Sequence, residues 1–274
     1  MIVMNNKILI TGSRGFIGSH LMKVFPRAQS YDLKDVQDIL DINLLKDALE
    51  GKEIVIHLAA LISITGSIQN PGKYYSANVA GTDNVLRAAI EAGCKTVIFA
   101  SSASVYSPDN PYAVSKKIGE DLMKEYSKKI QTISLRFFNI YGPGQNPEYA
   151  GVISKFMRAA KEGKTLKING DGRQTRDFIS VNDVTGIIEK VIRCRSKIAS
   201  GSIFDVGTGK EISINQLADY FVKKYKVPVK YYLKEDAGII RSKADNLKLL
   251  EIVGKHKFAS IVRGLSELDD KKIS

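Results

Sequence analysis

Tyr112 and Lys116 stand four residues apart, a spacing that sets a phenol beside an ammonium on one face of a helix. Such a pair is suited to taking a proton from a hydroxyl while the carbon beneath it is oxidised. A free phenol, with a pKa of about 10, is too weakly ionised for that task at neutral pH, and a nearby cation favours the phenolate. A shift of about three units needs roughly 4 kcal/mol of differential stabilisation, of which Lys116 is expected to supply part. The helix that carries the pair is predicted to begin at Pro111, capped by Asn110 or Asp109. Val114, Ile118, Leu122, Tyr126 and Ile130 form its buried stripe and leave Tyr112 and Lys116 on another face. Just upstream, an apolar strand over 96–100 delivers Ser101-Ser102-Ala103-Ser104-Val105-Tyr106 to the carboxyl edge of a sheet, where α/β proteins bind ligands.

The N-terminal stretch Lys-Ile-Leu-Ile-Thr-Gly-Ser-Arg-Gly-Phe-Ile-Gly, residues 7–18, reads as a buried strand, a glycine-punctuated turn and a helix opening near Phe16. Gly12 permits the tight turn, Gly15 admits a pyrophosphate to the backbone, and Gly18 lets the helix pack on the strand. Phosphates would then sit at the positive end of that helix. A second strand over 27–32 ends at Asp32, whose carboxylate suits ribose hydroxyls and repels a 2′-phosphate, so NAD is favoured over NADP, with Lys34 tempering the preference. Glu53 to Ala60 reads as a central parallel strand, with Ala59 and Ala60 small enough to leave room for the cofactor. A long helix starts at Pro71 with Asn78 facing the site, and strands and helices alternate on to Phe137. After the loop Asn139 to Gly144 the doubly wound pattern breaks. Residues 145–175 are predicted to form a helix and a hairpin-like segment, and 211–274 helices with one strand around Val227 to Leu233.

The spacing TGxxGxxG, the serine-rich strand end and the YxxxK pair together resemble the extended short-chain dehydrogenases/reductases of the NAD-dependent epimerase/dehydratase family, nearest to the UDP-glucose 4-epimerases. Gly170-Asp171-Gly172-Arg173-Gln174-Thr175-Arg176-Asp177-Phe178, followed by Val181 and Asp183, is similar to the GDGxQTRDFxxVxD signature of nucleotide-sugar epimerases. The resemblance implies an α/β fold, a Rossmann-type doubly wound parallel sheet with a smaller C-terminal substrate-binding lobe. Residues 1–141 and 177–207 would form the NAD-binding domain, and 142–176 with 208–274 the lobe. It implies Ser102, Tyr112 and Lys116 as catalytic residues, Ser102 bonding the reacting oxygen. NAD would contact Gly12, Gly15, Phe16, Ile17, Gly18, Asp32, Leu58, Ala59, Ala60, Asn78, Ala100, Tyr112, Lys116 and Phe137, with Asp41 and Ile42 at the adenine. A nucleotide sugar, a UDP-sugar first, would contact Ser102, Asn139, Arg176 and Lys234.

Family members that eliminate water or decarboxylate resemble one another in an acid within Thr-x-Glu-Val-Tyr, and here Ala103 and Ser104 stand in its place. Epimerisation at C4 is therefore expected. A nucleotide-sugar ketoreductase and a non-catalytic NAD-binding regulatory or RNA-associated protein are the alternatives. Two departures stand out. Six positions separate Tyr106 from Tyr112, where the family carries a loop longer by about fifteen residues. The late arginine of the family is replaced by Lys234-Glu235-Asp236, leaving Lys234 as the substitute anchor.

The 274 residues suffice for a sizeable core. Lys and Arg number 41 against 29 Asp and Glu, a net charge of +12 that favours anionic partners. The basic residues are scattered and no aromatic-interleaved basic motif appears, so a solvated surface is expected rather than nucleic-acid binding. Cys94 and Cys194 stand apart without a CxxC, and His20, His57 and His256 are dispersed, so no metal site is expected. With no leader or apolar span, the protein is expected in the cytoplasm. The family analogy implies a homodimer through helices near 73–92 and 112–130.

Overall fold

A computed structural model describes residues 6–146, 151–232 and 240–269. Lys234 lies outside the described residues. Strand β1 (Ile8–Thr11) leads through the glycine turn into helix α1 (Phe16–Val24), then β2 (Gln29–Tyr31), helix α2 (Ile42–Leu49) and β3 (Ile54–His57). Helix α3 (Ile64–Gln69) and α4 (Pro71–Tyr75) follow. A π-helical turn over Ser76–Ala80 joins α4 to α5 (Gly81–Glu91), so the long helix expected from Pro71 is one helical run with a bulge at Asn78. Next come β4 (Thr96–Ser102), α6 (Pro111–Tyr126) and β5 (Gln131–Phe137). The sixth strand of the main sheet is supplied late, as described below.

The remaining elements are β6 (Asn139–Tyr141), α7 (Val152–Lys161), β7 (Leu166–Asn169), β8 (Thr175–Arg176), β9 (Phe178–Ser180), α8 (Val181–Cys194) and β10 (Ser202–Val206). After them come β11 (Ile212–Ser213), α9 (Ile214–Tyr225), β12 (Val229–Tyr232), α10 (Leu247–Val253) and α11 (Ile261–Asp269). The main sheet runs β10-β5-β4-β3-β1-β2 and every pairing in it is parallel. Chain order reverses between β1 and β3, which opens a crevice at their carboxyl ends. The central strands are apolar on both faces because helices cover both. Ile8, Ile10, Ile56 and Ile98 face α8 and α1, while Leu9, Val55, Val97 and Phe99 face α2 and α5.

A third apolar cluster lies outside the sheet, joining α7, β7, α9 and α11 through Phe156, Ile168, Phe221 and Leu265. The hairpin expected over residues 167–173 does not form. β7 instead pairs in parallel with β12, and β8 runs antiparallel to β11, because both strands find their partners beyond residue 210. Asp177, wholly buried, holds the junction. One of its carboxylate oxygens accepts the Thr208 N–H at 2.9 Å and the Thr208 hydroxyl at 2.7 Å, and the other accepts the N–H groups of Gly209 at 2.8 Å and Ala244 at 3.2 Å. Its own carbonyl receives both the backbone and the side-chain N–H of Asn139.

Asp177→Ala leaves those donors buried without acceptors and is expected to cost roughly 3–5 kcal/mol of stability. Urea unfolding of the variant against the parent measures this. A loss below 1 kcal/mol would show that the junction is held by other contacts.

Candidate active site

The crevice between β1 and β3 is a groove lined by Gly12, Gly15, Phe16, Ile17, Gly18, Asp32, Leu58, Ala59 and Ala60, all anticipated from the sequence. Its floor depends on two close approaches. A Cβ on Gly12, whose φ is 69°, would meet the Ala59 nitrogen at 2.7 Å, and one on Gly18 would meet the Gly12 carbonyl oxygen at 2.2 Å. Beyond Gly15 only that same carbonyl oxygen lies within 4 Å, so the turn presents bare backbone to the groove. This cradle, at the N-terminus of α1 and closed by the Asp32 carboxylate, fits a dinucleotide pyrophosphate and its adenosine ribose.

Asp41, Ile42, Asn78, Ala100 and Phe137, expected as cofactor contacts, do not line this groove. Asp38 and Ile39 line the groove, whereas Asp41 and Ile42 do not. Asp41 is taken up as the cap of α2, accepting the N–H groups of Asn43 and Leu44 at 3.0 and 3.1 Å. The same dipeptide type, Asp-Ile, occurs twice three residues apart, and only the packing selects the first. Asn78 is buried and fully engaged: its carbonyl accepts the Leu61 N–H at 2.8 Å, and its NH₂ donates to the Leu61 carbonyl and to Ser115 Oγ. Ser115 in turn bonds the Tyr112 carbonyl, so Asn78 ties the loop after β3 to the helix that carries Tyr112. Phe137 is packed in the core beneath the sheet edge. Ala100 is buried and contributes its carbonyl to Lys116.

Helix α6 begins as expected, with Asn110 Oδ1 accepting the Ala113 N–H at 3.0 Å and Pro111 in the first turn. The Ser102 hydroxyl faces the Tyr112 phenol as a donor and accepts bonds from the N–H and hydroxyl of Ser104. Burial raises the Tyr112 phenol above its ordinary pKa, with the Ser102 hydrogen bond opposing the shift. Lys116 is 4% exposed, donates to the Ala100 carbonyl at 2.8 Å and lies 4.8 Å over the Phe99 ring. Burial pulls its ammonium down to about 7.

His57, which sequence reading left unassigned, is sealed between Thr11 and Thr82, with 2.7 and 3.0 Å hydrogen bonds to their hydroxyls. The Thr11 hydroxyl also accepts the Ala59 N–H, so this buried bridge fixes the groove wall. Glu120 is likewise buried under the active-site strand, accepting the Ser101 hydroxyl and a two-pronged ion pair from Arg136.

A second pocket opens between β6, α7, β7 and β8. Asn139 and Arg176 both line it, together with Lys155, Lys167, Phe156 and Phe178. Its lining includes three cations and no carboxylate, and none of the three makes an ion pair among the described residues. Arg176 donates to the Thr175 carbonyl at 2.7 Å, and burial lowers its pKa. Lys155 and Lys167 carry no motif and become legible only once α7 and β7 flank the pocket. Among the described residues no His, Cys, Asp and Glu cluster suits a metal, and no helix is long and apolar enough to cross a membrane.

Sheet order, glycine cradle and the Ser102–Tyr112–Lys116 strand end define a nucleotide-dependent enzyme class. The profile of the NAD dependent epimerase/dehydratase family matches residues 8–207, and the chain belongs to that family. It is similar to the UDP-N-acetyl-alpha-D-glucosaminuronate decarboxylase of Bacillus cytotoxicus, at 32% identity over 96% of this chain and 97% of that one. It is also similar to the UDP-glucose 4-epimerase of Mycolicibacterium smegmatis, at 29% identity over 95% and 96%. Among solved structures, MoeE5 in complex with UDP-glucuronic acid and NAD superposes with a TM-score of 0.85 at 27% identity, covering 96% of this chain and 98% of that one. The cofactor of this chain is NAD, and its family acts on nucleotide sugars as epimerases, dehydratases and decarboxylases.

Burial and the nearby Lys116 charge pull His57 down to about 3, whereas in the unfolded chain it titrates near 6.5. The unfolded state therefore binds one more proton between these values, and the associated stability, whole above pH 6.5, is lost as pH falls toward 3. Urea midpoints measured across this window should decline more steeply for the parent than for His57→Gln, by up to about 1.4 kcal/mol per pH unit. Parallel declines would mean that His57 is not the titrating group.

Proposed function

We propose that this chain is an NAD-dependent nucleotide-sugar 4-epimerase acting on UDP-glucose and UDP-galactose or their N-acetyl analogues. The supporting observation is the turn after Ser102. The Ser102 hydroxyl faces the Tyr112 phenol at the strand end, and the next side chains, Ala103 and Ser104, bring no carboxylic acid to protonate a leaving hydroxyl. Oxidation followed by return of hydride needs only the Ser, Tyr and Lys set, whereas elimination needs a further acid.

NAD, held by the glycine cradle and Asp32, would supply a hydride acceptor for C4 and a cationic ring that favours the phenolate. Tyr112 Oη takes the C4 hydroxyl proton as hydride leaves the same carbon, and Ser102 Oγ donates a hydrogen bond to the oxygen that becomes the 4-keto group. Lys116, now bonded to the Ala100 carbonyl, is within the same strand-end cluster and favours the phenolate once its ammonium turns toward Tyr112. With the keto sugar turned over, Tyr112 would return the proton to the C4 oxygen as the opposite face of that carbon is reduced. Arg176, Lys155 and Lys167 hold the substrate diphosphate and Asn139 its approach, leaving the sugar free to turn at C4.

Proton NMR of the anomeric region, with UDP-glucose, UDP-galactose and the N-acetyl analogues as substrates, should show interconversion without net NADH accumulation. Tyr112→Phe is expected to lower kcat by about 10²–10⁴-fold with the fold intact. Undiminished turnover in that variant would sink the assignment. The Bacillus cytotoxicus relative favours a second reading, decarboxylation of a UDP-uronic acid, which the same NMR measurement with that acid added as substrate would report as the anomeric signal of a UDP-pentose. Steady NADH consumption would instead identify a ketoreductase.

The three-cation pocket carries its own expectation. Lys155→Ala with Lys167→Ala should raise KM for the UDP-sugar about tenfold and leave kcat within about twofold, as for lost uniform binding. An unchanged KM would exclude these lysines from the diphosphate site.

A further inference from the structure

The adenosine end of the groove carries an arrangement that ribose recognition by Asp32 does not explain. A tight turn follows β2, in which the Asp32 carbonyl accepts the N–H groups of Asp35 at 2.9 Å and Gln37 at 3.1 Å, and the Leu33 carbonyl accepts that of Val36 at 2.9 Å. The Gln37 side chain closes the ring by accepting the Asp32 N–H. This closure places Val36 at φ 62° with 84% of its surface exposed. A β-branched residue in the left-handed region is strained by about 1 kcal/mol or more, and no burial of Val36 offsets it.

The turn does fix Asp35. Its Oδ2 lies 3.0 Å from Nε of Arg14, which comes from the glycine turn on the facing side. The backbone N–H of Arg14 donates to Asp32 at 2.8 Å, and that of Lys34 to the other Asp32 oxygen at 3.0 Å. Two cationic residues therefore flank the Asp32 carboxylate, the group that would bond the ribose hydroxyls. Lys34 lines the groove and makes no ion pair among the described residues, while the Arg14 guanidinium is held by Asp35. An arginine fork with a lysine beside it is the donor set that a 2′-phosphate requires.

We propose that Asp35 is a second determinant of cofactor choice: it withholds Arg14 from a latent 2′-phosphate site formed by Arg14 and Lys34. Asp32 repels the phosphate directly, and Asp35 neutralises the guanidinium that would otherwise offset that repulsion. Both partners of the pair are substantially solvent-exposed, so the pair contributes little to folding and its removal leaves the groove intact. Its influence falls on a doubly charged phosphate a few ångströms away, where a change of one charge alters affinity by about tenfold.

Equilibrium dialysis of the purified protein against equal concentrations of NAD and NADP, followed by chromatography of the nucleotides released on denaturation, reads the preference without reference to turnover. The parent should retain NAD in at least tenfold excess. Asp35→Asn should reduce that excess about three- to tenfold, and adding Arg14→Ala to Asp35→Asn should abolish the reduction. Arg14→Ala alone, which leaves Asp35 unneutralised, should hold the excess at or above the parental value. An excess unchanged in Asp35→Asn overturns the proposal, as does a reduction that persists equally without Arg14.

Discussion

The buried carboxylate of Asp177 is the contact on which the two halves of the site depend. Four donors from beyond residue 207 converge on its oxygens, and its carbonyl takes both N–H groups of Asn139. A buried carboxylate so surrounded is stable only with every donor in place, so the segments at 207–209 and 242–246 cannot shift without a large penalty. Asn139 and Arg176 flank this residue in sequence or in space. The substrate pocket is thereby tied to the sheet through one polar hub, alongside the apolar contact of Leu249 and Val253 with the sheet cluster.

The chemistry at the strand end rests on a balance between burial and charge. Burial moves Tyr112 and Lys116 in directions that each favour the neutral form, the phenol upward and the ammonium downward. A protein that left them so would have a poor base. The opposing influence must come from positive charge brought close to the phenol, which a bound nicotinamide ring or the Lys116 ammonium would supply. His57 shows the other outcome of burial, a histidine kept neutral and used as a hydrogen-bonding strut between two threonines.

Charge also sorts the two ends of the ligand path. The groove end near Asp32 holds carboxylates with cations paired or set beside them, whereas the second pocket presents Lys155, Lys167 and Arg176 without an acid. Such a gradient suits a chain with a net charge of +12 whose ligands are anionic. In the short connection before α6, Tyr106 is 58% exposed, its hydroxyl donating to Asp205 and accepting from Arg136.

Local sequence determined whatever local stereochemistry could encode. The glycines at 12, 15 and 18 admit only a close-packed strand–turn–helix, Asn110 and Pro111 start α6, and the four-residue step from Tyr112 to Lys116 follows from the helical repeat. These were legible because each depends on neighbours within one turn or strand. Tertiary structure decided what depends on distant partners. It selected Asp38-Ile39 over Asp41-Ile42, since both dipeptides satisfy the same pattern and only the path of the chain after β2 brings one to the groove. It spent Asn78 on the Leu61 loop, paired β7 with β12 from 60 residues away, and gathered Lys155 and Lys167 beside Arg176. Lone lysines and a buried asparagine carry no periodic or spacing signal, and their roles exist only once separate elements are packed against one another.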